Sequence, residues 1–376
     1  MVPRPIAPML AILDGTRNAD ALRTGFLLRT GIQLDSSQVD AFIESLDDAF
    51  LLDNQRFQGA IAKVMDNYHA GPFRPSSLAG NSYPSNGDEL REAFDDYCSN
   101  ANADAGGQVL KDGDAGSKRI AGLISPHIDY NRGWRTYAET WQLAHKAVED
   151  AELIILLGTD HSGSPGRLTL TRQDYATPWG QLPTDTSLVD GLVEILGEDG
   201  AFQEEVHHIG EHSVELASVW LHYFAGGKPK RMLPILCGVD ENLVENGAET
   251  NGVLQDALSF LADVVAEQNT LVVAAGDLSH VGPAFSDSLP LDLAGKARIR
   301  TSDEEWLEVA CTGSSERLAD HMRSKGDATR ICGASPIRYM LAILPETRGE
   351  VVAYDQCPAD EQFGSLVSIA GVLFTE

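Results

Sequence analysis

Positive charge is what this sequence has least of. Its 376 residues hold 28 Lys and Arg against 56 Asp and Glu, a formal net charge of −28. That balance argues against a nucleic-acid groove or an anionic membrane surface as partner, because both need a cationic face. Cysteine is sparse as well. Cys98, Cys237, Cys311, Cys332 and Cys357 are scattered, odd in number and without CxxC spacing, which speaks against a disulfide framework or a zinc ribbon. No apolar run of about 18 residues occurs, and "MVPRPIAPMLAILDGTRNAD" has no signal-type apolar core. A cytoplasmic protein is the expectation. Phosphate-cradling and nucleophile-elbow patterns are missing too: there is no GxGxxG after a strand, no GxxxxGKS/T and no GxSxG.

What is present is enough apolar sequence, 43%, to build one large domain, or a large one with a small companion. Residues 1–70 read as a small, mainly helical module, winged-helix-like in its short helices ending in "LL". Asn18 or Asp20 is placed to cap one helix, and Ser36 or Ser37 another. Residues 71–376 form the main domain, with a helix from Asp88 to Tyr97 and a flexible Gly-rich loop over about 99–118. From residue 119 strands such as "AELIILLG" and "NTLVVAAGD" alternate with amphipathic helices. That order specifies a layered α/β domain with a central, mostly parallel sheet flanked by helices.

Histidine and carboxylate then recur where apolar runs give way to small residues. His127 and Asp129 lie in "LISPHIDY", Asp160 and His161 in "LLGTDHSG", and Asp277, Ser279 and His280 in "AAGDLSHVG". Glu211, His212 and Glu215 open the helix "GEHSVELA". Three of these four places are carboxyl ends of expected strands, the edge where open α/β sheets bind ligands. Imidazoles and carboxylates gathered there suit a metal or an acid/base site. For one histidine alone, a helix cap or a hydrogen-bonded loop residue is the commoner explanation; it is the repetition that favours a shared pocket. His69, His145, His222 and His321 read as structural, and His207 and His208 as loop residues. Cys332, in "RICGASPI", is either a small buried cysteine or a thiol tuned by a helix start.

These motifs, in this order, resemble the Memo family, also called AmmeMemoRadiSam system protein B, which is similar to class III extradiol dioxygenases. "SPHIDY" resembles the family's "APHAGY", "LLGTDHSG" its "LGPSHH", "GEHSVELASVWL" its "EHSIEVQLPFL", "AAGDLSHVG" its "SSDFCHYG" and "ICGASPI" its "CGRGPI". The resemblance covers Ser77 to the C-terminus and leaves the first seventy residues outside. It implies a pocket at one sheet edge holding Fe(II) or Cu on two histidines and a third residue. By motif, His127 and His161 are the ligand histidines and the third position falls on Ser279. A serine hydroxyl is a poor ligand for such a metal. His280 or Asp277 in the same turn could replace it, or Asp160 could ligate beside His161, or the site binds no metal. His212 is the expected acid/base residue.

Two functions follow as expectations. One is a metal-dependent, dioxygenase-like oxidoreductase acting on an unknown small molecule. The other is a non-catalytic module, its metal site decayed at Ser279, that binds a peptide or protein. The resemblance also implies radical-SAM and AMMECR1-type partner proteins.

Overall fold

In a computed structural model covering residues 5–104, 119–240, 243 and 252–376, the chain divides into two compact units, Met1–Ala70 and Gly71–Glu376. The first unit is built from the helices Ala19–Thr30, Ser36–Asp48 and Gln55–Ala70. Met9, Ile12, Leu22, Phe26, Val39, Phe42 and Leu46 form its core. Among its described residues there is no strand, so the wing of a winged helix is absent there. Asn18 caps the first helix by accepting from the Ala21 N–H. The second is capped by Asp35, not by Ser36 or Ser37: Asp35 accepts from the Gln38 N–H while Gln38 reaches back to the Asp35 N–H.

In the second unit the apolar runs become strands: β1 (Ile120–Ser125), β2 (Leu153–Thr159), β3 (Leu168–Leu170), β4 (Tyr175–Thr177), β5 (Gly180–Leu182), β6 (Met232–Cys237), β7 (Thr270–Ala275), β8 (His280–Val281), β9 (Arg348–Pro358) and β10 (Leu366–Thr375). The main sheet runs β3-β6-β2-β7-β1-β10-β8, with β9 paired to β10. Its centre is parallel: β1 with β7, β7 with β2, and β2 with β6. β3, β8, β9 and β10 join antiparallel. β4 and β5 form a separate hairpin.

Why the parallel strands read as continuous apolar runs is plain from their burial. Helices cover both sheet faces, so every side chain of β2, β6 and β7 is buried. Along β2, Ile155 and Leu157 enter one core with the helices Thr186–Leu196, Gly252–Glu267 and Ala334–Ile343. Ile154 and Leu156 enter the other, with Gly87–Asp104, Tyr130–Leu143 and His212–Phe224. Each fully buried Leu or Ile contributes roughly 1.5–3 kcal/mol.

Three expectations need correction. The helix expected to end at Tyr97 continues to Asp104, so 99–104 is helix rather than loop; 105–118 lie outside the described residues. An 18-residue helix, Leu293–Ala310, has no counterpart among the expected elements. His207 and His208 sit in a short helix, His207–Gly210, rather than in a loop. Among the described residues no helix is long and apolar enough to cross a membrane.

Candidate metal centre

Because β1, β2 and β7 are parallel, their carboxyl ends open on one edge, and the loops after them carry His127, His161 and Asp277. Glu211 and His212 join as the start of the helix His212–Phe224. Cys332 joins from the loop that enters the helix Ala334–Ile343.

The rings of His127, His161 and His212 form a triangle with centroids 5.0, 5.0 and 4.8 Å apart. Cys332 Sγ lies 3.2 Å from His127 Nε2. One ligand atom each from His127, His161 and Cys332 falls within 4.8 Å of the others, and so does a set from His161, Glu211 and His212.

Neighbours decide which ring nitrogens are available. His127 Nδ1 is 3.1 Å from the Ala275 carbonyl oxygen. A carbonyl only accepts, so Nδ1 carries the proton and Nε2 keeps its lone pair toward Cys332. Burial pushes the His127 imidazole down to about 4, against the pull of Asp277 and with help from His212 and His161. His161 Nδ1 is 3.0 Å from Glu211 Oε2, which leaves its Nε2 as the nitrogen that could serve a metal. Burial works to lower His161, but the hydrogen bond and charge of Glu211 outweigh it and raise the imidazole. Burial works to raise Glu211, and its bonds to His161 and His212 overcome that and hold it well below the usual carboxylate range. His212 Nδ1 is 3.1 Å from Glu211 Oε1. Burial pushes the Cys332 thiol well up, with the charge of Asp277 adding to it. A bound cation would reverse that balance, because a coordinating thiol gives up its proton.

Two glycines let Cys332 come so close. A Cβ on Gly276 would sit 2.3 Å from Gly333 Cα, and one on Gly333 would sit 2.8 Å from the Asp277 carbonyl oxygen. The end of β7 and the Cys332 loop therefore touch backbone to backbone, joined by the Gly333 N–H donating to Asp277 O at 2.9 Å.

Other expected site residues lie as follows. Asp277 Oδ1 accepts the backbone N–H groups of His127 and Ile128 at 2.8 and 3.2 Å; its Oδ2 stands 3.8 Å from His127 Nε2. His280 faces the same cleft, with Nδ1 on the carbonyls of Leu278 and Arg330 and Phe285 edge-on at 5.1 Å, but it is not part of the ligand cluster. Asp129 caps the helix Tyr130–Leu143 and bonds Arg132. Asp160 pairs with His207 at 2.9 Å, outside the His127–His161–Cys332 and His161–Glu211–His212 groups. Ser279 is the clear departure. It is fully buried and its hydroxyl donates to Asp303 at 2.5 Å, inside the fold. The thiol neighbour of the histidines is Cys332.

The cleft over the histidines measures about 490 Å³ and is lined by His127, His161, His212, Asp277, His280 and Phe285 among others. Cys332 and His161 also border a smaller cavity of about 230 Å³.

Sequence reasoning assigned no role to Glu211 or to Arg74. Glu211 was legible as the residue before a helix. Arg74 is buried, and its guanidinium donates to the carbonyls of His208 at 2.8 Å and Glu211 at 3.1 Å. It also pairs with Glu215, which accepts from the Tyr83 hydroxyl at 2.6 Å and the Leu78 N–H at 2.9 Å. No local pattern marks Arg74.

Fold and cluster together define an α/β protein that presents a histidine–cysteine ligand set at the carboxyl edge of a parallel sheet. The family model described as Memo-like protein matches residues 74–373, and the chain belongs to that family. A MEMO1 family protein of Aquifex aeolicus is 25% identical over 374 residues, 97% of this chain and 90% of its own length. One of Thermus thermophilus is 26% identical over 345 residues, 90% of this chain and 93% of its own. One of Methanosarcina barkeri is 25% identical over 310 residues, 80% of this chain and 97% of its own. The Aquifex alignment takes in most of the first seventy residues, which the motifs alone left outside the resemblance.

Proposed function

We propose that this chain is a metal-dependent, extradiol dioxygenase-like oxidoreductase whose metal is held by His127, His161 and Cys332. The observation that carries the reading is the convergence of three ligand atoms within 4.8 Å, two of them on imidazoles whose other nitrogen is tied to Ala275 O or Glu211. Such outer partners orient ligand histidines and raise their basicity. Two imidazoles and a thiol suit copper, iron or zinc and not magnesium or calcium. A redox-active metal held there would supply electron exchange with a bound small molecule.

The protein's own groups do the rest. Glu211 fixes the rings of His161 and His212, while Asp277 pins the loop that carries His127. His212 and His280, on the cleft wall, are placed to hold or move a proton on a bound molecule. The cleft is of a size for a small molecule. The rival reading, a binding module with a decayed metal site, took Ser279 as the lost ligand. Ser279 donates to Asp303, and the metal reading rests on Cys332 in its place. Association with radical-SAM and AMMECR1-type proteins is part of the proposal and is checked by co-purification.

Metal analysis of protein purified without a histidine tag tests the centre. The expected result is about one iron or copper per chain, lost in His161→Ala and in Cys332→Ala. A thiolate-to-metal absorption band should vanish in the cysteine variant. A folded, metal-free parent that takes up neither metal would sink the reading and favour the binding module.

A further inference from the structure

Asp160 is paired with His207, and the two belong to a second set of candidate ligands. We propose that Asp160, Glu204 and His207 form a separate site for a hard or borderline divalent cation, of the Mn²⁺ or Zn²⁺ class. One ligand atom from each of the three lies within 4.8 Å of the others. The residues come from two segments: the turn after β2, and the stretch that leads into the helix His207–Gly210.

The Asp160 side chain is 1% exposed, with Oδ2 2.9 Å from His207 Nδ1. Its Oδ1 accepts the Ser162 N–H at 3.1 Å. Glu204 accepts from the Ser164 N–H at 3.0 Å and from the Ser164 hydroxyl. It is also ion-paired with Arg167, whose Nε stands 3.8 Å from Oε2, beyond hydrogen-bond distance. Each carboxylate oxygen has a second lone pair to give. A plain Asp–His pair would need no third member. Here a second carboxylate from another segment converges on the same point. Gly163 keeps the turn open: a Cβ there would sit 2.6 Å from Asp160 Cγ.

The two ligand sets are sorted by chemistry. His127, His161 and Cys332 are imidazole and thiol. Asp160, Glu204 and His207 are mostly carboxylate, which suits Mn²⁺ and does not suit Cu(I). They meet at the adjacent pair Asp160-His161. A cation on Asp160 would brace the turn that carries His161 while leaving His161 free for the first centre. The net charge of −28 raises the local activity of any cation.

This site stands independently of the first, and one titration separates them. Metal-free full-length chain is titrated with Mn²⁺, and free Mn²⁺ is read by its EPR signal. The expected result is one Mn²⁺ per chain, retained in Cys332→Ser and weakened about tenfold or more in Glu204→Gln and in His207→Ala. Circular dichroism of each variant checks the fold, and Glu204→Gln, nearly isosteric, decides if His207→Ala does not fold. Absence of uptake by the parent chain overturns the proposal. So does uptake indifferent to Glu204→Gln, or uptake lost in Cys332→Ser, which would place the Mn²⁺ at the first centre.

Discussion

Glu211 is one carboxylate with three duties. It caps the helix His212–Phe224 through the N–H groups of His212 and Ser213, it takes the Nδ1–H of His161, and it lies against Nδ1 of His212. All three need an acceptor with two equivalent oxygens. An amide has only one, and its NH₂ would face donors. Glu211→Gln should therefore lower metal affinity about 10–100-fold and cost about 1 kcal/mol through the weakened cap. Chelator competition reads the first effect and denaturant unfolding the second. A variant with parental affinity would mean that the ring orientations do not depend on this carboxylate.

At the scale of the element, the site depends on how closely the end of β7 meets the loop before the helix Ala334–Ile343. Gly276 and Gly333 leave no room for a methyl group. Gly333→Ala should push the Cys332 loop outward, destabilise by about 1–3 kcal/mol and abolish the thiolate band. Unfolding midpoints and absorption spectra would show this, and an unchanged spectrum would refute it. The same contact explains what was hidden in the sequence. The strand–helix alternation and the histidines at strand ends were legible, because burial on both sheet faces writes continuous apolar runs with small residues after them. That Cys332 would stand beside His127 was not. It follows from which loops the strand order brings together, and from two glycines in different segments. Motif order alone put the third ligand on Ser279, whose side chain the backbone turns inward to Asp303. The helix Leu293–Ala310 escaped because "KARIRTSDEEW" is so polar that its buried stripe, with Trp306, Leu307 and Ala310, is thin.

For the molecule as a whole, the buried Arg74–Glu215 pair joins positions 141 residues apart and links the start of the α/β unit to the helix behind the site. Burial works to raise the Glu215 carboxyl, while the charge of Arg74 and the bonds from Tyr83 and Leu78 bring it below its ordinary 4.5. A depressed carboxyl pKa contributes stability above the unfolded value, and that contribution is lost as pH falls through the folded one. Unfolding free energies measured from about pH 7 down to about pH 3 should fall in that window. Glu215→Gln should flatten this limb and, by taking the counter-charge from a buried guanidinium, cost about 3–5 kcal/mol at neutral pH. An acid limb as steep in the variant as in the parent would assign the loss to other groups.

The sheet order also has a consequence in time. β1 is flanked by β7 and by β10, the last of the described strands, and Cys332 is made 205 residues after His127. As the chain is synthesised from its N-terminus, His127 and His161 are made well before Cys332, so the proposed histidine–cysteine set is the last of the three candidate groups to be complete. That set can close only after Cys332 has left the ribosome and its loop has docked on the turn after β7, where the Gly333 N–H meets Asp277 O. Until then a metal at the proposed centre would find two imidazoles without their thiol.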